Sequence, residues 1–73
     1  MFFGPQPARI ISVQPLAIHG TPLFDVVFQL DAESVTRSAR LGAEALPNQP
    51  QPGDRVVVHL VMSTVTRIER TTA

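Results

Sequence analysis

Two histidines, a serine near one of them, and six arginines are the residues of this 73-residue chain that could do chemistry. Zinc needs four protein ligands, or three and an open position, drawn from clustered Cys, His and carboxylates. The chain has no Cys, and its two histidines, His19 and His59, are far apart with no carboxylate cluster beside them. His59 stands in an apolar run, where it reads as an outward-facing strand residue. A nucleophile needs a base within hydrogen-bond reach and a third group to orient that base. Ser63 lies four residues after His59, but no paired carboxylates accompany them and no Gly-rich phosphate loop occurs. These residues predict a non-enzymatic chain with no metal and no cofactor.

The arginines suggest a different chemistry. A guanidinium can fork onto a phosphate or stack on a base, and Arg37, Arg40 and Arg67, with Gln29 as a hydrogen-bonding neighbour, form a candidate contact set for single-stranded DNA or RNA. Against a strong polyanion binder stand six acidic residues matching the six basic ones, a pI near 6.7, and the absence of Tyr and Trp. Any such binding is expected to be weak and to fall steeply with salt. A second candidate set is apolar: Phe2 and Phe3 near the N-terminus, with Val57, His59 and Val61 as an outward strip. That set suits a protein partner or a homodimer better than a polyanion.

The elements that must position these residues are strands. Residues 50–70, PQPGDRVVVHLVMSTVTRIER, open on a Pro-Gly-Asp turn signal and continue in β-branched residues without helical spacing. Val56, Val58, Leu60 and Met62 share one parity and Val65 has the other, so a bulge or tight turn between Met62 and Thr64 must reset the phase. Residues 23–31, LFDVVFQLD, alternate cleanly, with Phe24, Val26, Phe28 and Leu30 on one face and Asp25, Val27, Gln29 and Asp31 on the other. Residues 8–13, ARIISV, form a first strand with Ile11 and Val13 inward, and Pro15 ends its pairing or forces an edge. Gly20 and Pro22 mark a turn. Residues 35–41, VTRSARL, form a third strand whose inward parity holds Val35, Arg37, Ala39 and Leu41, so Arg37 requires a bulge or an exposed strand end. Residues 42–46 allow one helical turn, stopped by Pro47. Residues 1–7, with Pro5 and Pro7, are expected to be irregular.

Four or five apolar strands in so short a chain predict one all-β domain. The expected architecture is a small five-stranded barrel of OB type, or alternatively an SH3-like barrel, because closure removes sheet edges. Near this length a core leaves little surplus stability, which makes dimerisation energetically reasonable. The missing signal-peptide pattern and the lack of a long apolar run predict a cytoplasmic protein that does not enter the membrane.

The segment GDRVVVHLVMSTVTRIE, residues 53–69, resembles the C-terminal strand of the small hydrogenase-maturation chaperones of the HypC/HupF type, which carry a Gly-Asp, a Val-rich strand with His, and an Ile-polar-basic-Ile-acidic ending. The resemblance implies an OB-like barrel. That family's functional Cys follows the initiator Met, whereas position 2 here is Phe; the resemblance therefore implies no iron-ligand chemistry. Arg9-Ile-Ile-Ser-Val and Pro52-Gly-Asp-Arg-Val are similar in the same way to TOBE/Mop modules, which again implies a barrel. From these readings two functions are expected: a non-catalytic OB-type module binding single-stranded nucleic acid weakly, or alternatively a protein-interaction or self-association module.

Overall fold

The alternation of Phe24, Val26, Phe28 and Leu30 becomes the inner face of the second strand in a computed structural model that describes residues 3–71. Five strands, β1 (Gly4–Ile18), β2 (Thr21–Leu30), β3 (Arg37–Leu41), β4 (Arg55–Val61) and β5 (Thr64–Arg70), form one antiparallel sheet in the order β3-β2-β1-β4-β5. A 3₁₀ turn, Ala43–Ala45, follows β3 and touches both β2 and β5. The all-β class and the single helical turn are as expected. Barrel closure is not part of the hydrogen bonding: no ladder joins the edge strands β3 and β5, and the sheet is open there.

The core is drawn from all five strands and contains Ala8, Ile10, Val26, Phe28, Leu30, Leu41, Val56, Val58, Leu60 and Ile68. Among the described residues no polar side chain is buried with it. Phe28 is fully enclosed and lies opposite Ile10 in the β1–β2 register, so the aromatic ring and the branched side chain fill the middle of the sheet's inner surface.

Three expectations about β1 and β4 need correction. Ile11 is not inward: the β1–β2 register slips between Ile10 and Ser12, leaving Ile11 as the extra residue of a bulge and 39% exposed. Ile10 takes the core position instead, and the same slip brings Val13 back against the core. Residues 4–7 are not irregular either, since they form the start of β1 and pair with β4 from Gly4↔Leu60 to Pro7↔Val57. Ile10 donates to the Asp54 carbonyl (3.0 Å) and accepts from the Gly53 amide (2.8 Å), so even-numbered residues of β1 turn their polar groups toward β4 and odd-numbered ones away. Pro5 and Pro7 therefore lack a donor only on the far side, at a level where β2 has already ended its ladder at Ala8↔Leu30. Met62, finally, is not in the core. It is 62% exposed at the tip of a two-residue hairpin, because the phase is reset by a tight turn at Met62–Ser63.

Both two-residue hairpins have positive φ at both tip residues: 51° and 81° at His19–Gly20, 50° and 67° at Met62–Ser63. This is the type I′ geometry, whose twist matches the flanking strands and which favours Asn-Gly. Met and Ser hold the second turn at a steric cost that Asn and Gly avoid. Replacing Met62→Asn together with Ser63→Gly is expected to stabilise the fold by about 1 kcal/mol, seen as a melting temperature higher by roughly 4–8 °C. An unchanged melting temperature would mean that this turn carries no strain.

Candidate interaction surfaces

The ladders decide which candidate residues share a surface. The β1–β4 and β4–β5 registers put Pro7, Val57 and Glu69 in one row and Pro5, His59 and Arg67 in the next. Val61 follows on β4, and Phe3 precedes Gly4, which pairs with Leu60, so both lie at the same end of the sheet as the Met62 tip. Phe3, Val61 and Met62 are each more than half exposed. Val57 and His59 are half-buried between their neighbours. The apolar candidates Phe3, Val57, His59 and Val61 thus form one strip on the outer face; Phe2 lies outside the described residues. Sequence reading misses Pro5 and Pro7 as members of this strip and Met62 as the residue at its end, and the sequence carries no pairing register that would find them.

Charges border the strip without entering its apolar end. His59 Nε2 lies 3.2 Å from a Glu69 carboxylate oxygen, and Arg67 pairs with the other Glu69 oxygen, also at 3.2 Å. One carboxylate therefore serves an imidazole and a guanidinium on adjacent strands.

The nucleic-acid candidates are dispersed and already engaged. Arg40 on β3 forks onto Asp25, its register partner on β2, at 2.9 and 3.3 Å. Arg37 lies at the first residue of β3 and forks onto Glu33 at 2.7 and 2.8 Å. No register slip occurs between β2 and β3, so this inward-parity arginine is accommodated by its place at the strand end and not by a bulge. Gln29 donates to the Glu33 carbonyl at 3.1 Å. Arg67 belongs to β5, and three strands separate it from β3 in the sheet. Of the others, Arg55 forks onto Asp31 and Arg70 reaches Asp54 at 2.9 Å. Arg9 alone pairs with no carboxylate among the described residues, although its charge helps to hold the Asp31 carboxyl low.

A shallow groove of about 580 Å³ does run over the outer face of β1, β2 and β3, with Val27 on its floor and Ser12, Gln14, Ser38 and the Asp25–Arg40 pair around it. A second crevice, about 520 Å³, opens where Val13 and Phe24 meet Leu46, Pro47 and Pro50. No group of three His, Cys, Asp or Glu able to hold a metal occurs among the described residues. Among the described residues no helix is long and apolar enough to cross a membrane.

The ion pairs set an acid limit. Hydrogen bonds from Arg40, Arg55, Arg37 and Arg70 are the chief cause that holds Asp25, Asp31, Glu33 and Asp54, respectively, below their ordinary carboxyl values of 3.8 for Asp and 4.5 for Glu. Folded-state values lower than unfolded ones contribute stability that is complete above the unfolded values and is lost as pH falls through the folded ones. The melting temperature is expected to be flat from pH 7 to about pH 5 and to drop progressively below about pH 4, which a pH series of thermal melts would show. A flat profile down to pH 2 would mean the pairs do not persist in solution. No family model, curated protein or solved structure matches the chain.

Proposed function

We propose that this chain is a non-catalytic self-association module, and that a second copy of itself docks on the outer strip of Phe3, Pro5, Val57, His59 and Val61. The observation that carries the reading is the register: it gathers residues scattered over two segments of sequence into one apolar surface, open at the Phe3–Val61 end. Large apolar residues left exposed together are the ordinary mark of a contact surface. A second copy suits it on charge. The chain's net charge is zero, so two copies have no long-range repulsion to overcome, and the strip's border carries Arg67 and Glu69 as one positive and one negative group that a two-fold arrangement can match. The strand order with a 3₁₀ turn between β3 and β4 supports an OB-type barrel left open between β3 and β5.

Sheet-edge pairing is a poorer route to the same end. β3 has five residues, two of them Arg, and β5 carries a register irregularity beside Arg67, Glu69 and Arg70; short, charged, bulged edges resist strand addition. The second reading, weak binding of single-stranded nucleic acid, has the β1–β2–β3 groove in its favour, with Arg40 at its side. It requires Arg37 and Arg40 to leave their carboxylates before they can hold phosphate.

Sedimentation velocity over a concentration series tests the choice. The expected result is a species of twice 8.0 kDa that grows in with concentration. A monomer throughout, with single-stranded oligonucleotide shifting the amides of Ser38 and Arg40, would replace the first reading by the second.

A further inference from the structure

We infer that Met62 is an oxidation site whose sulfoxide weakens docking at the outer strip; the consequence, though not the modification, rests on the self-association reading. Met62 is 62% exposed, more than any other large apolar residue among those described. Its backbone sits in the left-handed region at the first of two tip positions, between the paired residues Val61 and Thr64. A side chain on a two-residue tip has no further loop to fold over it, so the thioether is open to a small oxidant. It also lies next in sequence to Val61 and at the Phe3 end of the strip, the part with the most apolar surface to contribute to a contact.

The chemistry is a two-electron oxygen transfer from a hydroperoxide. The sulfur lone pair attacks the distal peroxide oxygen, the O–O bond breaks, the sulfur becomes a sulfoxide, and the hydroperoxide is reduced to water or an alcohol. The product replaces a flexible apolar group by a polar, chiral one, and a methionine sulfoxide reductase restores it. A polar S=O pressed into an apolar contact without a hydrogen-bond donor opposes docking for the same reason that any unsatisfied buried polar group does. In a two-fold contact the loss is counted twice, and a weakening of about 10-fold or more in the dimer dissociation constant is expected.

Dilute protein would be treated with hydrogen peroxide, in buffer and in urea. The tryptic peptide 56–67, which holds Met62 and not Met1, would be followed for the gain of one oxygen. The expected result is a native rate within about twofold of the unfolded one, as full access requires. Oxidised protein should then dimerise more weakly, a reductase should restore it, and Met62→Leu protein should dimerise and ignore peroxide. A native rate tenfold or more below the unfolded rate would overturn the inference. So would an oxidised protein that dimerises normally; if Val61→Asp still abolishes the dimer in that case, the self-association reading survives. A chain that never dimerises overturns the reading and the switch together, while the oxidation rate still reports whether Met62 is an accessible site.

Discussion

Phe28→Ala is expected to bring the chain to or past its unfolding midpoint at 25 °C. Phe28 is fully buried and shares the middle of the core with Ile10, Val26, Leu30 and Val58. Removing a ring from such a position costs about 3–5 kcal/mol through lost burial and the cavity left behind. A core in a chain this short supplies only about 3–5 kcal/mol of net stability, and a chain without Cys has no disulfide to add to it. The two figures are of the same size, so the folded fraction falls to about half or below. Phe28→Leu, which keeps most of the volume, should remain folded. Far-UV circular dichroism with urea titration checks both. A cooperatively folded alanine variant within 1 kcal/mol of the parent, on the scale of a conservative core swap, would show that the core repacks and that Phe28 is not its centre.

Val61→Asp is expected to abolish self-association while leaving the fold intact. Val61 is 54% exposed on the outer face at the end of β4, so the carboxylate stays in water in the monomer and the core is untouched. In the docked pair it would be desolvated, and an unpaired polar group costs about 2 kcal/mol by the more conservative protein-based scales. A two-fold contact holds two such groups. Roughly 4 kcal/mol then weakens the dimer by about 10³-fold. Sedimentation would show monomer at every accessible concentration, with a melting temperature for the dilute protein close to the parent's. A dimer that survives Val61→Asp would move the contact elsewhere on the surface.

How much of this was legible in the sequence follows from what each feature depends on. The period of two in residues 23–31 is a local property, and Val26, Phe28 and Leu30 are inward as read. The 3₁₀ turn before Pro47 and the phase reset after Met62 were likewise signalled by nearby residues. The sequence places Ile11 on the wrong face because a bulge at Ile10/Ser12 is a property of two strands together, and nothing in ARIISV announces it. Pro5 and Pro7 read as breakers in the sequence, since their tolerance depends on which side of β1 has a neighbour. The candidate sites divide along the same line. Arginines could be listed from sequence, but the capture of Arg40, Arg37, Arg55 and Arg70 by Asp25, Glu33, Asp31 and Asp54 depends on cross-strand register and turn geometry. The apolar strip was half visible: alternation gave Val57, His59 and Val61, while the prolines that complete it come from a different strand.

The most direct test of the central claim is the amide NMR spectrum of the labelled protein across a wide concentration range at pH 7. The account predicts concentration-dependent shifts and broadening confined to Phe3, Val57, His59, Val61 and their β5 neighbours Arg67 and Glu69, with Ser38 and Arg40 unmoved. Spectra that stay monomeric and superimposable at every concentration would contradict it.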